Sequence, residues 1–298
     1  MPLAKRIRKA AENPQLALTW ALCRIRPAHY RTRLLASARS SGITTPGFIL
    51  SFDCDTDRDG PALEHLHPRL RGMGLHPLYA VPGEILLDSA STYRDIAADG
   101  AEFMNHGYRR HATVEPATGQ VLSTYFYDPE NPQDWMNDIT LGHQAVTELT
   151  GHRPCGFRTP HFGSFESPGA LNKLWQFLGQ LGYTYSSSTR PLFAAMHGPV
   201  FHNHGIAEIP VSGCLDQPNQ ILDSWGLVNN ATLGDLRLIN QIRKYLDLMR
   251  SGEPILLNLY FDPADIVKNN ELISLLGEFA PYEVEGGFKA LIPMSGVQ

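Results

Sequence analysis

The sequence predicts an α/β fold in which parallel strands, covered by helices, form a closed or nearly closed barrel. Three observations predict it. Beyond residue 45, short apolar runs of strand length alternate with longer amphipathic runs of helix length. Seven such apolar runs fit within about 240 residues, the size of a β/α barrel. The polar clusters fall where apolar runs end, and ligands bind at the carboxyl ends of strands in barrels and open parallel sheets alike. An open doubly wound sheet is the alternative architecture. The chain has 298 residues, 43% of them hydrophobic and 18% charged, enough to bury a sizeable core. It carries no low-complexity tract, internal repeat or heptad run.

The elements follow in order. GFILSFD (47–53) reads as a buried strand. Residues 61–73 read as a helix opened by Pro61 and closed near Gly72 and Gly74. HPLYAV (76–81) is the second strand, 89–99 a helix, and AEFMNH (101–106) the third strand. Residues 112–132 carry Pro116, Pro129 and Pro132 and read as an inserted loop. A helix over 133–151 ends at Gly151, and PCGFRTP (154–160) is a strand. Then come a helix over 168–181, the strands YTYSSS (183–188) and IAEIPV (206–211), and a helix over 233–250. The strand PILLNLYF (254–261) and a helix over 262–279 complete the alternation.

The net charge of −5 hides an asymmetry. Residues 1–44 hold nine basic residues and one acid, Glu12, for a net +8; the remainder is −13. This divides the chain into a basic helical N-terminal extension, 1–44, and a barrel domain, 45–298. The acidic body argues against a nucleic-acid partner. The apolar run at 16–23 is too short to span a bilayer, which takes about 20 residues. It has basic residues on both sides and no small-residue cleavage site, so it is a poor signal peptide. Two readings stay open for the extension: a basic helix on an anionic membrane surface, or a helix packed against the acidic body. The four cysteines (Cys23, Cys54, Cys155, Cys214) form no CxxC motif and read as reduced thiols. The expected location is the cytoplasm, peripheral to the inner membrane.

The first strand ends in FDCDTDRDG, with aspartates at 53, 55, 57 and 59. Packing alone does not explain four like charges there. DTDRDG matches the first half of an EF-hand loop, but the position of the bidentate glutamate holds Leu66 and a strand precedes it. Asp57 and Asp59, beside Arg58 and Gly60, read as a solvated acidic turn. Asp53 and Asp55 share a strand face; two carboxylates that close call for a cation, with one as ligand and the other free as a base. NHGYRRH (105–111) offers His106 and His111 at the end of the third strand. Aspartate plus two histidines is a ligand set for Zn²⁺ and similar ions and leaves a position for water.

SFDCD, NHGYRRH and GFRTPHFG, in that order, resemble the motifs of the polysaccharide deacetylases with a NodB homology domain, carbohydrate esterases of family 4. The resemblance covers roughly residues 46–280 and each motif falls at a strand end. It implies a deformed seven-stranded β/α barrel and a metal-dependent hydrolase that removes an N-acetyl or other N-acyl group from a sugar, in a cell-surface polysaccharide or glycolipid precursor. It implies that Asp55, His106 and His111 hold a divalent metal, with zinc expected and cobalt, nickel or manganese as substitutes. Asp53 is implied as the general base, Arg158 as the residue that orients it, and the backbone N–H near His161 as a donor to the oxyanion. Tyr108, Phe162 and Trp225 are implied as substrate-binding residues; ordinary core packing is the other reading for Trp225.

The chain departs from that pattern twice. Three residues usually separate the family's two histidines; here four separate them, which sets them about 140° apart on a helix and on opposite faces of a strand. A tight turn at 108–110 must bring His111 round, or His161 supplies the second ligand. In the last strand the family commonly has a histidine as general acid; here YFDPAD puts Asp262 there. A carboxylic acid serves only if its pKa is raised. Two alternatives remain: a catalytically degenerate carbohydrate-binding protein on the same barrel, and a glycosidase using Asp53 and Glu208.

Overall fold

The computed structural model describes residues 10–228 and 234–295; Lys5, Arg6, Arg8 and Lys9 of the basic extension lie outside them. The described residues form ten strands: β1 Gly47–Asp53, β2 Leu78–Val81, β3 Phe103–Asn105, β4 Ala112–Val114, β5 Val121–Ser123, β6 Gly156–Phe157, β7 Tyr185–Ser186, β8 Phe201–Asn203, β9 Ile206–Glu208 and β10 Leu256–Phe261. Eight of them form one curled sheet in the order β10-β1-β2-β3-β6-β7-β9-β8. Seven strands run parallel, as the alternation predicts, and β8 adds an antiparallel edge on β9. The β8–β9 turn uses His204 and Gly205, both at positive φ (50° and 76°). That left-handed pair is the twist a tight hairpin requires, and it is the feature that the expected strand at 206–211 missed.

Side chains of β1 alternate between two cores. Phe48, Leu50 and Phe52 pack outward with the helices, while Ile49 packs inward with Ala80, Met104 and Ala207. Ser51 and Asp53 continue the inward face, so the strand delivers a carboxylate to the barrel mouth. Register sets the rim level. Phe52 pairs with Phe261, and Asn105 pairs with Phe157. Asp53 and Asp262 therefore follow at one level, as do His106 and Arg158.

No strand ladder joins β9 or β8 to β10 among the described residues. A side chain spans that seam instead. Asn258 of β10 donates from Nδ2 to the carbonyls of Pro210 (3.1 Å) and Ile209 (3.2 Å) and to Ser187 Oγ (3.1 Å). Ser212 N–H donates to the Asn258 carbonyl at 2.9 Å. Across this seam the Asn258 side-chain amide and the Ser212–Asn258 backbone bond stand in for a strand ladder.

Helices cover the outside, some with bounds the sequence did not suggest. Short helices at Gly83–Asp88, Pro191–His197 and Ser224–Leu227 were not foreseen, and the expected helix over 262–279 is split into Pro263–Ile266 and Asn270–Gly277. The expected loop at 112–132 contains the β4–β5 hairpin. The N-terminal extension forms two helices, Pro14–Ile25 and Pro27–Ser40, each opened by a proline. They pack on the body: Tyr30 and Leu34 are buried, Asn13 Nδ2 donates to the Glu166 carbonyl (2.8 Å) and Ser37 Oγ to the Ala194 carbonyl (2.8 Å). No helix among the described residues is long and apolar enough to cross a membrane.

Candidate metal and catalytic site

Arg158 follows β6 and is fully buried. Its Nη1 donates to Asp53 Oδ1 at 2.9 Å and its Nη2 to Ser51 Oγ at 3.0 Å. The guanidinium lies 5.1 Å from the Tyr260 ring centroid and 5.8 Å from that of Phe162, two rings that are themselves 5.4 Å apart, so aromatic faces pack against it. A charge-assisted bond of this kind fixes the direction of the carboxylate. Burial pushes the Asp53 carboxyl above its ordinary range, and Arg158 pulls only part of that back.

The four-residue gap between the histidines is bridged by a turn. Gly107 adopts φ +79° and reverses the chain after His106. The Tyr108 and Arg109 N–H groups then both donate to the buried carboxylate of Asp138, at 3.1 and 3.0 Å, and Tyr127 OH donates to it at 2.7 Å. The Arg110 N–H donates to Glu84 Oε2 at 2.7 Å. A Cβ on Gly107 would stand 2.5 Å from both Asp138 Oδ2 and the Tyr127 hydroxyl, so this position accepts glycine alone. With the turn held so, the His106 and His111 rings lie 4.6 Å apart, edge to face. His111 is brought round, and His161 is not needed in its place.

The donor set suits a cation. His106 Nδ1 donates to the Arg158 carbonyl at 2.8 Å, which leaves Nε2 to face Asp55 Oδ1 at 3.3 Å. His111 Nε2 lies 2.9 Å from the same oxygen. Asp55 Oδ1 and His111 Nε2 are buried and neither makes an aligned hydrogen bond. Ligand atoms of Asp55, His106 and His111 all lie within 4.8 Å of one another. Lone pairs converging in a buried pocket require a positive charge between them. The proton balance says the same: burial would raise Asp55, but His111 and His106 outweigh it and hold the carboxyl well below its usual range. For His106, burial works against charge, and Asp55 and Asp53 reverse it upward.

The remaining expected residues surround this centre at varying distance. His161 sits at φ +54°, rare for a non-glycine residue. Its Nε2–H donates to the His111 carbonyl at 2.8 Å. Burial and His111 depress its pKa to about 4, so it is neutral at pH 7. Asp262 exchanges hydrogen bonds with Ser224: Oγ donates to Oδ2 (2.8 Å) and accepts from the Asp262 N–H (2.9 Å). Burial, then the charge of Asp55, pushes the Asp262 carboxyl well above its usual range. Trp225 lines a narrow cleft with Asp262, Thr56, Arg58 and Val121, and its ring is 6.1 Å from that of His161. Phe162 lies over Arg158 and 5.4 Å from Tyr260. Tyr108 turns toward Gly83 and the helix Pro132–Thr150. A cavity of about 990 Å³ opens at the other end of the barrel, around Pro77, Glu102 and Cys155, and contains none of these residues.

Two sequence expectations change. Asp59 is buried, not solvated: it accepts from the Thr56 N–H (2.8 Å), Thr56 Oγ1 (2.9 Å) and the Ala264 N–H (3.1 Å), tying the loop after β1 to the loop after β10. Burial raises its pKa to about 7. Asp57 is exposed and pairs with Arg110. Glu208 is fully buried, with Oε1 accepting from the Ser188 and Thr189 N–H groups and Thr189 Oγ1, and Oε2 from Trp175 Nε1. Its oxygens hold the strand ends together and leave nothing for a glycosidic bond. Asp138, Glu84 and Ser51 escaped the sequence reading. A buried aspartate inside an amphipathic helix carries no local mark of the loop it holds.

Comparison with solved structures places the fold. A Mycobacterium smegmatis protein described as a polysaccharide deacetylase aligns with a TM-score of 0.61, covering 84% of this chain and 90% of its own at 19% identity. A Pseudomonas aeruginosa PAO1 protein described in the same way aligns at 0.60, covering 86% and 92% at 12% identity. The fold is that of the polysaccharide deacetylases. An allantoinase, PuuE, shares it at a TM-score of 0.57, covering 83% and 88% at 11% identity. No family model matches the sequence, and no curated protein matches it. At such identities the polysaccharide deacetylase fold leaves the chemistry to the site itself.

Proposed function

We propose that the protein is a metal-dependent hydrolase that removes an N-acetyl or other N-acyl group from a sugar. One observation carries the reading: Asp55, His106 and His111 converge beside a separate carboxylate, Asp53, that Arg158 holds in place. Asp55, His106 and His111 would hold a divalent ion, with zinc the best match to a carboxylate and two imidazoles. Such an ion supplies Lewis acidity to the amide carbonyl and lowers the pKa of water.

The chain's own residues supply the rest. Asp53 accepts the proton from the attacking water; the burial that raises its pKa makes it a better base. Arg158 keeps Asp53 Oδ1 occupied and so directs Oδ2, which lies 3.9 Å from His106 Nε2, toward the metal cluster. Asp262 gives a proton to the departing amine. It is suited to this because burial, then the charge of Asp55, pushes its carboxyl well above the usual carboxylate range. His161, with a pKa near 4 and its N–H committed to the His111 carbonyl, has no proton to give at pH 7. Trp225 and Phe162 offer aromatic faces to a sugar ring. A polysaccharide deacetylase and an allantoinase share this fold, so the N-acyl sugar is the reading that the three motifs favour over another amide.

Elemental analysis of the purified protein and acetate release from N-acetylated sugar oligomers test the proposal. The expected result is about one divalent ion per chain, activity abolished by a chelator and restored by Zn²⁺ or Co²⁺. Asp53→Asn keeps the metal and loses turnover. Activity in a metal-free protein would overturn it, and sugar binding without turnover, unaffected at Asp53, would favour the degenerate binding protein.

A further inference from the structure

The helix Pro14–Ile25 buries Leu16 and Cys23 against the body, yet it is apolar on its outer side as well. Leu18, Leu22 and Ile25 fall within about 60° of one another on the helix. They lie on the side away from Leu16 and Cys23 and are 61%, 44% and 77% exposed. An ordinary surface helix has one apolar stripe and turns it to the core. Here a second stripe faces outward, and Trp20 and Arg24 fall on the other side of the helix. The Arg24 guanidinium lies 5.1 Å from the ring centroid of the half-exposed Trp20. Arg26, Arg31 and Arg33 are exposed on the following turns.

We propose that this helix docks the protein on an anionic membrane surface. Leu18, Leu22 and Ile25 enter the boundary between headgroups and acyl chains, and Arg26, Arg31 and Arg33 lie among the lipid phosphates. Charge selects this occupant. Residues 1–44 carry +8, so a second copy of the chain would bring an equal charge to the same face and be repelled. Docking needs no spanning helix. It also places the reacting end of the barrel near the bilayer, because Asn13 at the start of the helix is bonded to Glu166, in the loop that follows Arg158 and His161. The proposal stands independently of the proposed activity.

The test is co-sedimentation of the full chain with vesicles of phosphatidylcholine alone or with about one third phosphatidylglycerol. The expected result is binding to the anionic vesicles only, weakened by salt. Arg26→Gln and Arg31→Gln should each weaken it about fivefold, and Leu22→Ser with Ile25→Ser by about tenfold or more. All four side chains are exposed, so far-UV circular dichroism and the thermal midpoint should not move. No sedimentation at low salt, equal binding to neutral vesicles, or variants that bind like the parent would overturn the proposal. So would a concentration-dependent dimer abolished by Leu22→Ser with Ile25→Ser, which would make a second copy the occupant.

Discussion

Asp138→Asn removes one charge and nothing else in shape, and it should undo the turn that carries His111. The carboxylate is fully buried. Oδ2 accepts from Tyr108 N–H and Tyr127 OH, and Oδ1 from Arg109 N–H, with Arg109 Nε a further 3.7 Å away. An asparagine has one acceptor oxygen. If it stays with Tyr108 and Tyr127, its NH₂ points at the Arg109 N–H, donor against donor. One charge-assisted bond is lost and one buried N–H is stranded, costing about 3 kcal/mol together. That cost falls on the loop that brings His111 to Asp55, so metal affinity should drop about 10- to 100-fold. Urea unfolding of the metal-free chain reads the first quantity, and competition with a chromogenic zinc chelator reads the second. A variant with parental stability and parental affinity would refute the claim that Asp138 builds the site.

Three further outcomes follow from the same structure. Gly107→Ala places a Cβ 2.5 Å from Asp138 Oδ2 in a left-handed backbone; it should destabilise the fold by about 1–3 kcal/mol and yield protein that purifies with sub-stoichiometric metal by elemental analysis. Asn258→Ala removes the three donations that close the barrel seam and strands buried carbonyls, so chemical denaturation should show a loss of about 2–4 kcal/mol; an unchanged midpoint would mean that the seam contributes little. His161 is held near pKa 4 in the folded chain against about 6.5 unfolded. Between those values the unfolded chain binds more protons, so His161 makes stability fall as pH drops from about 6.5 toward 4. The full effect is up to about 3 kcal/mol. His161→Gln should flatten the slope of unfolding free energy over that window, and an unaltered slope would assign it to other groups.

Much of the barrel was legible because its signals are local. Each apolar run from GFILSFD to PILLNLYF is a strand core whose length and neighbours give its type, and the parallel order follows from alternation with helices. The aspartates and histidines were legible as donors because residue type alone sets ligand chemistry. Less could be read where an element is defined by its partner. The strands of the hairpin at 112–123 and the edge strand β8 are each three residues long and exist through pairing, so none shows a period of its own. The two readings of the N-terminal extension were left open by sequence; the structure shows that Tyr30, Leu34 and Cys23 are buried, while Leu18, Leu22 and Ile25 are exposed.

The sequence by itself determined which residues could bind a cation and that they stand at strand ends. The tertiary structure alone decided that they meet. His106 and His111 share a centre because Asp138, on a helix that begins twenty residues beyond the second histidine, grips the backbone between them. Glu208 and Asp59 look like free acids in the sequence and are bound ones in the fold. The physical reason is common to all three. A buried carboxylate takes its role from whichever donors the packing of distant segments brings to it, and no local pattern of residues records that choice.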